Sequence, residues 1–131
     1  MALRCLIVDD NRAFLTAATR LLEREGVDVV GVAATGGEAI DLARVVAPDV
    51  VLIDIYLGPE NGLDLVERLQ EAGGPAASVV LISTRSADDV LESFGSRPPL
   101  PFVAKADLSA ETISLAANRT PENGAPPERG G

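Results

Sequence analysis

The sequence predicts a three-layer α/β sandwich, in which one parallel sheet carries helices on both faces. Short apolar runs rich in β-branched residues alternate with segments of helical period, which favours parallel strands joined by right-handed crossovers. Three of the apolar runs, at 6–8, 50–53 and 79–82, show no alternation with polar residues. This pattern is typical of strands covered on both faces. With 131 residues, the chain has the length of one domain.

Five apolar runs are predicted to be the strands of this sheet. They are residues 5–8, 27–33, 50–53, 79–82 and 100–104. The three runs without alternation are expected at the centre of the sheet, since central strands of an α/β sandwich are buried on both faces. Cys5 lies in the first strand and is the only cysteine of the chain. It cannot form an internal disulfide and is expected to be a buried core thiol.

Helical period between these runs predicts five helices. In the first, residues 13, 14, 17, 21 and 22 are apolar at helical spacing, and Gly26 is expected to end the helix. The second is predicted over 37–47, before a proline, and the third over 63–72, before two glycines. The fourth, over 86–96, and a short fifth helix after Ser109 each begin at a serine, which is a favourable N-cap.

Composition and charge exclude several classes of function. The net charge of −9, from 20 acidic and 11 basic residues, opposes direct binding of nucleic acid, whose phosphates attract basic proteins. The chain contains no histidine, so any phosphohistidine must belong to a partner. The apolar runs are far shorter than the ~20 residues that cross a bilayer, and the N-terminus lacks a signal-peptide pattern. We therefore expect a cytoplasmic protein without membrane association.

The C-terminal segment is predicted to be a disordered tail. Residues 118–131 are rich in Pro and Gly and contain almost no apolar side chains. Burial therefore cannot offset the entropy that this segment would lose on ordering. The folded domain is expected over 1–117.

Chemically distinctive residues follow four of the five predicted strands. The first strand is followed by Asp9 and Asp10, the third by Asp54, the fourth by Ser83 and the fifth by Lys105. Because ligands of open α/β sheets bind outside the carboxyl ends of the strands, these side chains are expected to meet at one edge. Each residue alone has an ordinary explanation as a helix cap, a turn residue or a solvated charge. Their conjunction at four strand ends favours a functional site.

The residue types at this edge favour phosphoryl transfer assisted by Mg²⁺. Three clustered carboxylates repel one another unless they are protonated or a cation bridges them, and oxygen ligands without His or Cys suit a hard ion such as Mg²⁺. Mg²⁺ also coordinates phosphate oxygens. Asp54 is then the candidate nucleophile, while the Lys105 ammonium and the Ser83 hydroxyl would stabilise the equatorial oxygens of the transferred group.

The same residues resemble the receiver domain of two-component response regulators, in particular receivers that precede helix-turn-helix output domains. The resemblance covers residues 3 to about 117 and includes Gly62, eight residues after Asp54, and the run Lys-Ala-Asp-Leu at 105–108. It implies a flavodoxin-like, five-stranded parallel sheet of order 2-1-3-4-5, with the site at its topological switch point.

The resemblance also implies roles for individual residues. Asp54 would be phosphorylated, and Lys105 would contact the acyl phosphate. Ser83 matches the switch hydroxyl that moves to the phosphoryl group, and Phe102 matches the switch aromatic. The oxygen ligands of Mg²⁺ would be Asp9, Asp10, Asp54 and the main-chain carbonyl of Tyr56.

Three features depart from the family's pattern. Receivers commonly carry Pro four residues after the phosphoacceptor, where this chain has Gly58 followed by Pro59. A cis proline often follows the lysine, where this chain has Ala106. Residues 97–101 read Arg-Pro-Pro-Leu-Pro, which is expected to stiffen the segment between the fourth helix and the fifth strand.

The first functional interpretation is a phosphorylation switch. A sensor histidine kinase would donate the phosphoryl group, and an unknown downstream protein would bind the switched surface. The chain's own chemistry would be limited to autophosphotransfer and slow hydrolysis, so it is not expected to be an enzyme of multiple turnover. The oligomeric state stays open, and a homodimer is one of the arrangements compatible with this interpretation.

Two alternatives stay open beside it. A degenerate receiver would act as a phosphorylation-independent binding module, and the Pro-rich segment is the reason to consider it. A haloacid-dehalogenase-like phosphohydrolase would also use a nucleophilic Asp, Mg²⁺, a hydroxyl and a Lys. Those enzymes carry an Asp-x-Asp motif. In this chain Tyr56 lies two residues after Asp54 and Asn11 lies two residues after Asp9, so neither aspartate begins such a motif.

Overall fold

A computed structural model describes residues 2–71, 78–96 and 100–118 of the chain. Its helices and strands are β1 (Arg4–Val8), α1 (Arg12–Arg24), β2 (Asp28–Ala33), α2 (Gly36–Val46), β3 (Val50–Asp54), β4 (Tyr56–Leu57), β5 (Glu60–Asn61), α3 (Gly62–Glu71), β6 (Ser78–Ser83), α4 (Ala87–Phe94), β7 (Phe102–Ala104) and α5 (Ala110–Ala117). A 3₁₀ turn over Lys105–Asp107 connects β7 to α5. Apart from Asn118, the predicted tail lies outside the described residues, as do Ala72 and residues 97–99.

Five of the strands form one parallel sheet in the order β2-β1-β3-β6-β7. Because β4 and β5 form a separate small hairpin, this order is the predicted 2-1-3-4-5, and the predicted α/β fold is confirmed. The strand order reverses between β1 and β3, so their carboxyl ends mark the topological switch point. Within the described ranges, every helix is too short or too polar to cross a membrane.

The core consists of two apolar layers, one on each face of the sheet. Along β1, Leu6 and Val8 belong to the layer beneath α2, α3 and α4. Cys5 and Ile7 belong to the layer beneath α1 and α5. All four side chains are fully buried, because successive residues of a strand point to opposite faces and both faces carry helices. This arrangement explains the absence of alternation in the central strands.

Cys5 is expected to resist thiol reagents in the folded protein. Its side chain is 0% exposed, and burial raises the pKa of the Cys5 thiol to about 12. At pH 8 roughly one thiol in ten thousand would then be a reactive thiolate. A disulfide reagent such as DTNB should therefore release almost no colour from the native protein and one equivalent in 6 M guanidinium. Rapid reaction of the native protein would contradict the assignment of Cys5 to the core.

The last strand of the sheet is shorter than the sequence analysis predicted. It begins at Phe102 and not at Leu100. Pro101 has no N–H to donate to a strand ladder, although its carbonyl accepts a hydrogen bond from the Leu81 N–H at 2.8 Å. Pairing with β6 is consequently limited to three residues.

The buried face of α1 also differs in part from the prediction. Leu15, Ala18 and Leu22 are buried, whereas Ala13 and Ala17 are exposed. Burying leucine removes more apolar area from water than burying alanine, which favours this rotation of the helix. The periodicity predicted the helix, but the competition between neighbouring apolar residues decided its inner face.

The serine N-caps predicted for the last two helices are confirmed. Ser86 Oγ accepts a hydrogen bond from the first turn of α4 at 3.2 Å, and Ser109 Oγ accepts one from the first turn of α5 at 3.0 Å. Asn11 caps α1 in the same way at 3.1 Å. Each cap satisfies a backbone N–H that has no partner within its helix.

A small hairpin that the sequence analysis did not predict follows Asp54. Strands β4 and β5 pair antiparallel around the two-residue turn Gly58–Pro59. Gly58 has a φ of +59°, a conformation that glycine adopts without penalty at the first central position of a hairpin turn. Proline, with φ fixed near −65°, could not occupy this position. The hairpin therefore explains why Gly58 replaces the proline common in receivers, and the Gly-Pro pair was the signal for it.

Candidate functional site

Four strand ends bring the predicted residues together at one edge of the sheet. Asp9 follows β1, Asp54 is the last residue of β3, Ser83 is the last residue of β6, and Lys105 follows β7. The four strands are successive neighbours in the sheet. The parallel arrangement therefore places side chains from distant parts of the sequence at a common edge.

The Lys105 ammonium contacts two buried carboxylates. Its Nζ lies 2.6 Å from Asp9 Oδ2 and 3.0 Å from Asp54 Oδ2, and 13% of the lysine side chain is exposed. Burial disfavours a charged amine, but the ion pairs with Asp9 and Asp54 outweigh burial and raise the pKa of Lys105 above its ordinary value. Lys105 is therefore an ammonium held inside the site, and not the solvated charge that the sequence also allowed.

Asp54 has a donor at each of its carboxylate oxygens. Oδ1 accepts a hydrogen bond from the Tyr56 N–H at 3.0 Å, and Oδ2 accepts one from Lys105. Asp54 is only 6% exposed, and this burial raises its pKa above the ordinary value. The two donors oppose that increase, whereas the neighbouring Asp9 adds to it. An additional cation near Asp54 would favour the ionised carboxylate.

Asp9 is fully buried and Asp10 is exposed. Asp9 Oδ1 accepts a hydrogen bond from the Asn11 N–H at 2.9 Å. Asp9 Oδ2 lies 2.6 Å from the Lys105 ammonium, which is its charged partner. One oxygen each from Asp9, Asp10 and Asp54 lie within 4.8 Å of one another.

This set of oxygens fits a hard divalent cation. The Asp9 carboxylate is fully buried, and one oxygen of each of two further carboxylates lies close to it. Oxygen ligands with no nitrogen or sulfur among them suit Mg²⁺. The exposed Asp10 leaves one side of the cluster open to water, which Mg²⁺ usually retains in its coordination shell.

Ser83 is fully buried at the end of β6. Its Oγ accepts a hydrogen bond from the Arg85 N–H at 2.9 Å. The hydroxyl therefore bonds to the backbone, which is an ordinary structural role for a serine at the end of a strand. A hydroxyl that accepts one hydrogen bond still carries a proton that it can donate, so Ser83 retains a donor for a ligand at this edge.

Aromatic and polar side chains lie at the rim of the site. The Arg85 guanidinium lies 4.7 Å from the centre of the Tyr56 ring. Tyr56 Oη is 3.0 Å from Ser93 Oγ on α4, so these side chains connect the segment after β3 to the fourth helix. Phe102 is half-buried and packs against the core layer beneath α2, α3 and α4.

Gly62 provides the space in which α3 begins beside the site. Its N–H donates to the Ile55 carbonyl at 2.8 Å. A Cβ at this position would overlap the main-chain carbonyl of Asp54. The glycine eight residues after Asp54 is therefore required by close backbone approach.

One contact of the site and one contact at the start of α2 were not predicted from the sequence. The Phe14 ring faces Lys105, with Nζ 4.3 Å from its centre. The Glu60 carboxylate accepts a hydrogen bond from the Gly36 N–H at 3.2 Å and lies 3.7 Å from the Arg68 guanidinium. Phe14 has the spacing of an ordinary core residue of α1, and the partners of Glu60 are distant in sequence. No sequence signal distinguishes either contact.

The fold and the site together define a doubly wound α/β domain that gathers three carboxylates and one ammonium at its topological switch point. A family model described as the response regulator receiver domain matches residues 5–106. The chain therefore belongs to the response regulator receiver domains.

Two curated relatives are much longer than the part that matches this chain. A response regulator receiver protein from Anaeromyxobacter sp. is 40% identical over 90 residues, which cover 69% of this chain and 37% of that protein. A protein-glutamate methylesterase/protein-glutamine glutaminase from Halobacterium salinarum is 36% identical over 89 residues, which cover 67% of this chain and 26% of that protein. The aligned part of the chain thus covers less than two fifths of the length of these relatives.

Solved structures show the same fold over nearly the whole chain. A two-component response regulator of the LuxR family from Aurantimonas sp. is similar with a TM-score of 0.74 and 26% identity, covering 94% of this chain and 93% of that one. The signal receiver domain of a modulated diguanylate cyclase from Desulfovibrio desulfuricans is similar with a TM-score of 0.72 and 27% identity, covering 91% of this chain and 96% of that one.

Proposed function

We propose that this receiver accepts a phosphoryl group on Asp54 from a sensor histidine kinase in the cytoplasm, in a reaction that depends on Mg²⁺. The observation that carries the proposal is the contact of Lys105 with both Asp9 and Asp54 beside a third carboxylate, Asp10. A structural ion pair would need one carboxylate. Asp9 and Asp54 pair with one ammonium and Asp10 lies beside them, so the cluster carries an excess of negative charge that a further cation would balance.

In the proposed reaction, a carboxylate oxygen of Asp54 attacks the phosphorus of a phosphohistidine in line. A bond forms between this oxygen and phosphorus, while the bond from phosphorus to the imidazole nitrogen breaks. The leaving nitrogen keeps the electron pair of that bond and takes up a proton. The product is an acyl phosphate on Asp54 and a neutral histidine on the kinase.

Residues of this chain would stabilise the charge on the transferred group. The Lys105 ammonium already contacts Asp54 Oδ2 and can donate to a phosphoryl oxygen with one of its other protons. The Ser83 hydroxyl retains a proton to donate from the neighbouring strand. The Tyr56 N–H, bonded to Asp54 Oδ1, would hold the carboxylate in orientation during attack.

Mg²⁺ would be held by Asp9, Asp10, Asp54 and the Tyr56 carbonyl, the ligand set that the family resemblance implies. When bound, it would neutralise the carboxylates and the oxygens of the incoming phosphoryl group. Among these residues, the cluster of one oxygen each from Asp9, Asp10 and Asp54 within 4.8 Å of one another gives the strongest support for a metal.

Phosphorylation would then act as a switch through Ser83 and Phe102. The phosphoryl group gives Ser83 and Lys105 a hydrogen-bond partner that is present only in the phosphorylated protein. This partner shifts the conformational equilibrium toward the state in which both residues contact it. The half-buried Phe102 lines a groove of about 530 Å³ between α4 and α5, with the exposed Leu115 also on its wall. We propose this groove as the part of the surface whose affinity for a downstream protein changes.

Intact mass spectrometry after incubation with phosphoramidate tests the proposal directly. We expect a gain of one phosphoryl group per chain in the presence of Mg²⁺ and no gain in EDTA. A chain that gains no mass with Mg²⁺ present would contradict the proposal and favour a phosphorylation-independent binding module. Continued release of inorganic phosphate from phosphomonoesters would instead support a phosphohydrolase.

Replacing Asp10 with alanine is expected to weaken Mg²⁺ binding severalfold. The exposed Asp10 supplies one of the three clustered oxygens, and its loss should leave Asp9 and Asp54 in place. At ten times Kd, Mg²⁺ should stabilise the native protein by about 1.4 kcal/mol, which raises Tm by about 5 °C in a domain of this size. At the same Mg²⁺ concentration the Asp10→Ala variant should show a smaller increase in Tm. If the increase in Tm with Mg²⁺ concentration were the same in the variant and the wild type, Asp10 would not be a ligand of the metal.

A further inference from the structure

We propose that Phe14 is a positioning residue for Lys105, whose ammonium it holds toward Asp54 through the face of its aromatic ring. This inference rests on the proposed phosphoryl transfer to Asp54. Phe14 lies in the first turn of α1 and would otherwise count as one of several apolar residues that pack this helix onto the sheet.

The geometry is that of a cation–π interaction. Lys105 Nζ lies 4.3 Å from the centre of the Phe14 ring, within the ~6 Å over which a ring face attracts an ammonium. The lysine side chain is only 13% exposed, so little water competes with the ring for the cation. Such interactions are strongest where the cation is desolvated.

The backbone that carries the ring is linked by hydrogen bonds to the same carboxylate that contacts the ammonium. Asp9 Oδ1 accepts a hydrogen bond from the Asn11 N–H at 2.9 Å. Asn11 Oδ1 in turn accepts one from the Phe14 N–H at 3.1 Å, which caps α1. Asp9 Oδ2 contacts Lys105, and Lys105 faces Phe14. Through these contacts the start of α1, which carries Phe14, is connected to both Asp9 and the Lys105 ammonium.

The ring offers what a third carboxylate beside Lys105 could not. It attracts the positive charge but is not a strong hydrogen-bond acceptor, so it does not compete with a phosphoryl oxygen for the ammonium protons. The ion pair with Asp54 must adjust when that carboxylate is phosphorylated, whereas the contact with Phe14 can persist. The ring therefore keeps Lys105 within the site throughout the reaction.

NMR of the single lysine tests the contact itself. The sequence contains ten arginines but one lysine, so protein grown with ¹³C-labelled lysine should give one set of side-chain signals, that of Lys105. We expect the Hε signal of the native protein to lie upfield of its position in the unfolded chain, because of the ring current of Phe14. This upfield displacement should fall by more than half in Phe14→Leu and be retained in Phe14→Tyr. An unchanged displacement in Phe14→Leu would overturn the proposal.

The rate of phosphorylation by phosphoramidate tests the positioning role. Loss of a partly desolvated cation–π contact should slow the Phe14→Leu variant by about three- to tenfold, while Phe14→Tyr and Phe14→Trp should retain most of the rate. Phe94→Leu is the matched control, since Phe94 is buried in the core layer on the opposite face of the sheet and should show the wild-type rate when folded. Equal rates for Phe14→Leu and Phe14→Trp would overturn the role.

The two measurements distinguish failure of this inference from failure of the proposed function. If the wild-type chain takes up no phosphoryl group but the lysine signal responds to Phe14→Leu as expected, the proposed function is wrong and the positioning role is lost with it. If the wild-type chain is phosphorylated and Phe14→Leu changes neither the lysine signal nor the rate, only the inference about Phe14 is wrong.

Discussion

Asp54→Asn is expected to abolish the gain of a phosphoryl group. Asparagine has nearly the shape of aspartate and can keep the hydrogen bond from the Tyr56 N–H, but its neutral amide is a poor nucleophile toward phosphorus. The loss should therefore be one of chemistry and not of folding. Intact mass spectrometry with phosphoramidate and Mg²⁺ should show one added phosphoryl group in the wild-type chain and none in the variant.

Thermal unfolding of the Asp54→Asn variant checks that it is folded. Burial raises the pKa of Asp54, so a neutral side chain at this position removes a desolvation cost, and we expect no large loss in Tm. Asp41→Asn is a matched control, because Asp41 is an exposed carboxylate on α2 and its variant should be labelled fully. Undiminished labelling of Asp54→Asn would show that another residue is the acceptor.

Gly62→Ala is expected to destabilise the fold by about 3 kcal/mol, at the upper end of the range for overpacking. The added Cβ would overlap the Asp54 carbonyl and approach the Ile55 backbone. Neither neighbour is the movable end of a side chain, and the Gly62 N–H is tied to the Ile55 carbonyl. Chemical denaturation should show the lower free energy of unfolding, and Tm should fall by about 12 °C.

Gly37→Ala is the matched control for this prediction. Gly37 lies in the first turn of α2, and a Cβ there would meet nothing within 4 Å. Since alanine is the better helix former, this variant should be as stable as the wild type or more stable by about 0.5–1 kcal/mol. If Gly62→Ala were as stable as Gly37→Ala, the conclusion that α3 begins too close to the Asp54 backbone for a Cβ would be contradicted.

Much of the fold could be predicted because the pattern of apolar residues along a segment indicates which of its side chains are buried. The run 50–53 is apolar throughout, and β3 is indeed covered on both faces. The serine caps of α4 and α5 were predictable because capping depends on neighbouring residues alone. The limits of the last strand were not, since Leu100 and Pro101 have strand-like neighbours but lie outside the ladder. Proline removes the N–H on which that pairing depends.

The residues of the candidate site were also predictable, although their contacts were not. Asp54 and Lys105 each follow or end an apolar strand, and parallel strands bring such positions to one edge. The sequence could not show that Asp9 is fully buried while its neighbour Asp10 is exposed. This difference arises because the chain leaves the sheet after β1, so that successive side chains meet different surroundings.

The sequence by itself determined the class of fold, the strand order implied by its family resemblance, and the residue types at the carboxyl edge. The fold class and the residue types follow from periodicity and from position along the strands, which are properties of neighbouring residues, whereas the strand order came from the resemblance. Only the tertiary structure decided that Phe14 faces Lys105 and that Glu60 binds the start of α2. Such contacts join residues far apart in the chain, and they are fixed by packing, which no local pattern encodes.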